Sequence, residues 1–351
     1  MAEAHSKEVV LAERPVGIPE ARHFEVREAP IPEAGDGEIL IRNRFLSVDP
    51  AMRGWVNTVA NYSKPVGVSE VMRSFAAGEV VASHHADYAP GDLVCGMFGW
   101  RENAVSDGGN VLYRHDLADV PLSASLGILG VNGITAYFAL LDVGAPQAGE
   151  TVVVSTAAGS VGSAVGQIAK IKGCRTVGLT GSGEKAQQCL TEFGYDAAID
   201  YRAGDVDKAL AVACPDGVDI YFDNTAGAIS DAVYRHLNIC ARSVVCGTAS
   251  QASWDPWPEG PRIERHLLVK RARIEGFAVC GKTGTAEVRN REGRHKITWF
   301  ASYGPFEKPK YAVVVMVERG ASGGLSCAPA ARKIYEALIA GDNPNRIAGN
   351  R

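Results

Sequence analysis

The stretch TVVVSTAAGSVGSAVGQIAKIK, residues 151–172, decides the fold. Thr151 to Ser155 is a short apolar run of the kind that makes a buried strand. Val161 to Lys172 carries helix-forming residues at helical spacing. The turn between them, overlaid on G-x-G-x-x-G, places Ala157, Gly159 and Gly162 at the three glycine positions. A glycine at the middle position lets backbone approach a pyrophosphate, and one at the third lets the helix lie close on its strand. The helix start offers unpaired N–H groups and a positive dipole end to an anion. A plain tight turn between strand and helix is the competing reading, because small residues are common there.

Outward from this turn, apolar strands alternate with helix-length segments. Arg175 to Leu179, Asp219 to Phe222, Ser243 to Cys246 and Arg273 to Val279 read as further strands, and Glu184 to Phe193 as a second helix. Such alternation predicts a doubly wound parallel sheet of Rossmann type. A chain selecting NAD usually ends its second strand in Asp or Glu, which accepts from the ribose 2′-hydroxyl. Here that strand runs into GLTGSGEK, residues 178–185. Small and hydroxyl residues followed by Lys185 suit a 2′-phosphate, so NADP(H) is the expected cofactor. Glu184 dissents unless it serves as a first-turn helix acid, and a solvated surface lysine is the other reading of Lys185.

The first 120 or so residues have a different texture. Turn signals at Pro30-Ile-Pro32, Gly35-Asp-Gly37, Asp49-Pro50 and Pro90-Gly91-Asp92 separate short β-type segments, Glu38 to Arg42, Gly78 to Ala82 and Asp92 to Cys95. The chain thus divides into a β domain over 1–120, a nucleotide-binding domain over 121–279 and a third segment over 280–351. Leu126 to Leu141, the longest uncharged apolar stretch, is too short and too polar for a membrane span and reads as a buried interdomain helix.

Composition excludes several classes. With 36 Lys+Arg against 40 Asp+Glu there is no basic excess to hold nucleic acid or an anionic membrane. The start, MAEAHSKEVV, has no signal-peptide pattern. The eight cysteines form no C-x-x-C pair, which disfavours zinc-ribbon and thioredoxin readings and fits a reduced, cytoplasmic protein.

Five strings, in order, extend the reading: LSVDPAMRG at 46–54, AAGSVGSAVGQIAKIK at 157–172, DAAIDY at 196–201, YFDNTAG at 221–227 and VCGTASQ at 245–251. Through them residues 1–279 resemble the zinc-independent medium-chain reductases, in the leukotriene dehydrogenase, prostaglandin reductase and alkenal double-bond reductase branch. The resemblance implies a GroES-like first domain beside the Rossmann domain, and NADPH-dependent reduction of a carbon–carbon double bond conjugated to a carbonyl. By motif position Gly159, Ser160, Val161 and Gly162 would cradle the pyrophosphate, and Lys185 and Tyr201 would flank the 2′-phosphate. Asn224, the turn Cys246, Gly247, Thr248, Ala249, Ser250, and Phe277 with Val279 would line the nicotinamide side. For Tyr201 and Phe277, ordinary core packing is the alternative. Ser47 stands where metal-dependent relatives carry a ligand cysteine, and no four closely spaced cysteines could hold a structural zinc, so no metal is expected. Many members place a tyrosine where this chain has Ala252. Tyr62, the cofactor's ribose hydroxyl or water is then left to supply the proton, and Tyr62 is preferred. A small-molecule enone or enal is the implied substrate, a homodimer is implied by resemblance alone, and a quinone reductase of the same fold is the alternative enzyme.

The reductase pattern does not continue past Val279. Residues 280–339 instead resemble the carboxy-terminal end of a penicillin-binding transpeptidase, through CGKTGTAE at 280–287, WFASYGP at 299–305, PKYAVVV at 309–315 and APAARKI at 328–334. A polar, basic stretch is expected through Lys296, then strands over Ile297 to Tyr303 and Tyr311 to Glu318, and a helix over Ala328 to Ala340. Transpeptidation needs a nucleophilic serine in S-x-x-K. The one attractive match, Ser182 to Lys185, falls in the expected 2′-phosphate loop, so a non-catalytic fusion or transpeptidase fragment is the remaining alternative, and such a tail would bear on reductase activity.

Overall fold

The computed structural model describes residues 5–58, 64–251 and 259–277 in full, together with the backbone of three strands between 283 and 318. Two compact units emerge, Met1–Ala278 and Val279–Arg351.

In the first unit β1 (His5–Leu11) and β2 (Phe24–Pro30) form an antiparallel pair. Strands β3 (Ile39–Leu46), β4 (Ala76–Ser83), β5 (Leu93–Gly96), β6 (Asn103–Ser106) and β7 (Val111–Arg114) form a five-stranded antiparallel sheet in the order β6-β3-β4-β5-β7. Alternation does the work here: Ile39 and Ile41 point inward with Ala76, Val80, Val94 and Phe98, and all are buried. A short helix, α1 (Met52–Trp55), buries Met52 and Trp55 in a second cluster with Leu11, Val66 and Met72.

The chain then enters a six-stranded parallel sheet. Its strands are β8 (Thr151–Ser155), β9 (Arg175–Thr180), β10 (Ala197–Asp200), β11 (Val218–Asp223), β12 (Leu237–Val245) and β13 (Arg273–Gly276). They lie in the order β10-β9-β8-β11-β12-β13. Helices α2 (Val131–Phe138), α3 (Ser160–Ile171), α4 (Gly183–Thr191), α5 (Val206–Ala213), α6 (Gly227–Arg235) and α7 (Glu264–Lys270) precede or follow the strands. All five residues of β8 are buried, because both faces are covered. One cluster packs α2 and α3 against Val152, Val154, Ile220 and Phe222. The other packs α5 and α6 against Val153, Val177, Leu179 and Tyr221. Arg242 on β12 clamps the loop before β8, forking onto Glu150 at 2.5 and 2.8 Å. Burial pulls the Glu150 carboxyl up, but the Arg242 fork and the Gln147 N–H outweigh it and hold it below the usual range.

Two expectations need correction. The stretch 126–141 is not one buried helix: a 3₁₀ turn at Leu122–Leu126 precedes α2, and a π turn at Ala139–Gly144 follows it. Glycines impose the break. A Cβ on Gly130 would come within 2.4 Å of the Ser125 carbonyl oxygen, and one on Gly133 within 1.8 Å of that of Ile128. Ile134 and Tyr137 on α2 remain exposed. The strand expected at Ser243 in fact starts at Leu237, carried through a kink at Cys240, where φ is +63°.

The second unit contains an antiparallel sheet of β14 (Thr283–Asn290), β15 (Gly293–Gly304) and β16 (Tyr311–Glu318), in that order. The expected hairpin is present as β15 and β16, with Ile297 opposite Glu318 and Gly304 opposite Tyr311. The stretch expected to be polar and basic is also a strand, β14, pairing from Thr283↔Phe300 to Asn290↔Gly293. Charged residues such as Glu287 and Arg289 gave no apolar pattern to read, yet charge on an outer strand is how sheets blunt their edges. The expected helix at 328–340 lies outside the described residues, as do Tyr62, Ala252 and Val279.

Candidate functional site

Strand order fixes where a ligand would sit. The chain runs from β8 outward through β9 and β10, then crosses back to β11 on the opposite side. The loops leaving β8 and β11 therefore diverge and open a crevice at the carboxyl ends of these two strands, the switch point of a doubly wound sheet.

The loop after β8 is the glycine turn. Thr156, rather than Ala157, takes the left-handed conformation, with φ +53°. Its carbonyl accepts the Gly159 N–H at 2.8 Å, and the Ala157 N–H reaches the Leu179 carbonyl at 3.1 Å, which prolongs the pairing to β9. Gly159 caps α3 without a side-chain hydrogen bond, so the first-turn N–H groups of Ser160, Val161 and Gly162 have no intrahelical acceptors. A Cβ on Gly162 would sit 2.3 Å from the Thr156 carbonyl oxygen. Deeper in α3, a Cβ on Gly166 would strike the Tyr195 ring, whose hydroxyl donates to the Gly162 carbonyl at 2.6 Å. Close packing of α3 on the turn after β8 and on Tyr195 thus depends on missing side chains at 162 and 166.

On the β9 side, Ser182 caps α4 and its hydroxyl accepts the Lys185 N–H at 3.3 Å, placing exposed Lys185 in the first turn of the helix. Tyr201 follows β10, and its N–H donates to the Thr180 carbonyl at 3.0 Å. Its hydroxyl lies against Gly181, where a Cβ would approach to 2.7 Å. Arg202 was not anticipated. Its guanidinium stacks 5.9 Å from the Tyr201 ring centroid and also borders Gly181. One short loop, 180–182, is thereby bordered by Tyr201 and two cationic residues, a composition suited to a phosphate.

On the β11 side, Asn224 is held twice to β8: its N–H donates to the Ser155 hydroxyl at 2.8 Å and its Nδ2 to the Ser155 carbonyl at 2.7 Å. The turn 246–250 after β12 is stapled to it. Cys246 and Gly247 N–H groups donate to the Asp223 carbonyl, Ala249 to Asn224, and Ser250 to Thr225. Phe277, just past β13, donates its N–H to the Val245 carbonyl and packs against the neighbouring core. Gln251 was also missed; among the described residues its buried Oε1 has no hydrogen-bond partner, an acceptor left open at this end of the crevice. Burial, with the Asp223 charge adding to it, pushes the Cys246 thiol up to about 12, so it is no nucleophile at neutral pH. Among the described residues no group of three or more His, Cys, Asp or Glu is placed to hold a metal ion. No helix among them is long and apolar enough to cross a membrane.

Ala226 stands out in this turn, with φ +58° and ψ −168°, a region that side chains strongly disfavour. Glycine there relieves strain of about 1–3 kcal/mol and returns part of it as unfolded-state entropy. Ala226→Gly is therefore expected to stabilise the protein by about 1 kcal/mol, read as a midpoint shift in urea unfolding at unchanged slope. A destabilised variant would show that the observed backbone carries no strain.

Three family descriptions match the chain: the N-terminal domain of oxidoreductase over residues 7–113, the zinc-binding dehydrogenase over 160–291, and the penicillin-binding protein transpeptidase domain over 267–336. An NADPH-dependent curcumin reductase of Escherichia coli is 42% identical over 279 residues, covering 78% of this chain and 81% of that protein. An NADP(+)-dependent 2-alkenal reductase of Nicotiana tabacum is 37% identical over 283 residues, covering 79% and 82%. The crystal structure of CurA from Vibrio vulnificus in complex with NADPH superposes with a TM-score of 0.73 at 42% identity, over 78% of this chain and 82% of that one.

Proposed function

The chain belongs to the medium-chain dehydrogenase/reductase family, in its curcumin and 2-alkenal reductase group, and is an NADP-dependent oxidoreductase; on that footing we propose that it reduces the carbon–carbon double bond of α,β-unsaturated carbonyls. The carrying observation is the switch-point crevice, with a glycine cradle at one side and a doubly cationic loop at the other. The residues present fit NADPH. Gly162 leaves the space that a Cβ would fill, and the N–H groups of Ser160, Val161 and Gly162 would hold the pyrophosphate. Lys185, Tyr201 and Arg202 would take the 2′-phosphate. Asn224, Gln251, the 246–250 turn and Phe277 would border the nicotinamide half.

When bound, NADPH supplies a hydride for the β-carbon of the substrate, and negative charge collects on the carbonyl oxygen. Such chemistry asks the protein for position and for donors to that oxygen rather than for a strong nucleophile. The fixed Asn224 and the stapled 246–250 turn supply the rigidity. Tyr62 is the proposed proton donor. Its loss as Tyr62→Phe is expected to lower kcat on enones by about 10²-fold with little change in NADPH affinity; unchanged turnover removes it from the mechanism.

The reading is tested by NADPH oxidation with a 2-alkenal, an enone and a quinone side by side, plus labelling by a fluorescent penicillin. Turnover on the alkenal and enone with a saturated carbonyl product is expected. Turnover on the quinone alone favours a quinone reductase, and covalent penicillin labelling overturns the assignment.

A further inference from the structure

Asp223, the last residue of β11, is only 1% exposed. Its Oδ1 accepts the Ala226 N–H at 2.8 Å, the Thr225 N–H at 2.9 Å and the Tyr221 hydroxyl at 3.1 Å, with the Ser155 and Thr225 hydroxyls at 3.4 Å. Its Oδ2 accepts the Ser230 hydroxyl at 2.6 Å. Every one of these partners is neutral, and Asp223 forms no ion pair among the described residues. Buried carboxylates ordinarily sit beside a cation, because hydrogen bonds from neutral groups offset desolvation without cancelling the charge. The charge is felt locally: it adds to burial in raising the Cys246 thiol and the Asp231 carboxyl.

Its place in the sheet gives this charge a use. A dinucleotide with its pyrophosphate at the start of α3 and its 2′-phosphate at the 180–182 loop has its adenosine half over β9 and β10. Its nicotinamide half must then extend the other way, over the ends of β11 and β12, where Asp223 lies directly beneath the Asn224–Ala226 turn. The nicotinamide ring is neutral when reduced and carries a full positive charge once hydride has left.

We propose that the buried Asp223 carboxylate favours the oxidised, cationic nicotinamide in this half-site, so that NADP+ binds better relative to NADPH than it would over a neutral side chain. The inference rests on the proposed cofactor site and adds to it a means by which the protein stabilises the charge that hydride transfer creates. Ser155, Thr225, Tyr221 and Ser230 keep the carboxylate soluble in the core, and the absence of a partner cation among them leaves its field to act on the crevice.

The test is Asp223→Asn in the full chain, with dissociation constants for NADP+ and NADPH measured separately by calorimetry. An asparagine oxygen can keep the Ala226 and Thr225 N–H groups, and its NH2 can meet the Ser230 oxygen, so the staple survives without the charge. For a charge about 10 Å away at an effective dielectric of about 20, the ratio Kd(NADP+)/Kd(NADPH) is expected to rise about 15-fold. A purely structural role would weaken both cofactors by the same factor, and that result overturns the proposal, as does an unchanged ratio. Should this variant fail to fold, Tyr221→Phe removes one neutral donor and leaves the charge less compensated. The ratio is then expected to fall, and a ratio that holds or rises overturns the proposal. Wild-type protein that binds neither cofactor would sink the cofactor site itself, an outcome distinct from both.

Discussion

Gly162→Ala is expected to abolish NADPH binding. The added methyl would lie 2.3 Å from the Thr156 carbonyl oxygen and 2.9 Å from the Ala157 Cα. Both are backbone atoms, and Thr156 already occupies the left-handed region, so the turn has no easy direction in which to yield. The start of α3 must tilt away from β8, and the N–H groups that would converge on a pyrophosphate then diverge. Overpacking of this kind costs about 1–3 kcal/mol of stability, which leaves a domain of this size folded but less stable. The discriminating measurement is a thermal-shift titration. A ligand at a hundred times its dissociation constant stabilises by about 2.7 kcal/mol, and the variant is expected to show no shift at concentrations that saturate the wild type. Gly204→Ala is the control, because a Cβ there meets nothing within 4 Å. If Gly162→Ala binds NADPH as the wild type does, the turn is a plain strand-to-helix connection.

Lys185→Ala combined with Arg202→Ala is expected to raise KM for NADPH by about 10²-fold while leaving KM for NADH within about twofold. A charge-assisted hydrogen bond to phosphate is worth about 1.5–3 kcal/mol. Both side chains are exposed, so screening puts each at the lower end, near tenfold. The effect should shrink as salt rises. NADH lacks the 2′-phosphate and so reports any general damage to the site. An equal loss for both cofactors would mean that the loop had collapsed. No change for either would return Lys185 to the status of a solvated helix lysine. Tyr201→Phe alone keeps the ring on which Arg202 stacks and so isolates the hydroxyl.

The parallel sheet was legible because buried strands are written as continuous apolar runs, and TVVVS at 151–155 is buried at every position. Where packing asks less of the side chains, the pattern fades. The first part of β12 carries Asn238, exposed Ile239 and the kinked Cys240, so only its apolar end stood out. Strand β14 is written mostly in small and polar residues, with Glu287 and Arg289 near its end, since backbone pairing with β15 needs no apolar side chain. The site divides the same way. Glycines at 159 and 162 announce a phosphate turn because their absence of side chain is itself the function. The Asp223 cluster draws donors from β8, β11 and α6, separated by many residues, and no local string of serine and threonine reveals that they meet. Arg202 was hidden in plain view: it follows Tyr201 directly, but only the fold turns its guanidinium back across that ring toward Gly181.

The strand order also constrains how the protein can be made. β8 leaves the ribosome first of the six parallel strands yet ends in the middle of the sheet. One of its flanks is covered soon, by β9, but the other waits for β11, and the Thr151 N–H meets the Asp219 carboxylate 68 residues later in the chain. Until then a strand of three consecutive valines has one open edge. Contacts this distant in sequence fold slowly, and at ordinary rates of synthesis that edge is exposed for several seconds, on the order of the time needed to add those residues. Chaperone dependence of the nascent chain should accordingly be greatest between the emergence of β9 and that of β11, and should fall once Ile220 can pair beside Val152.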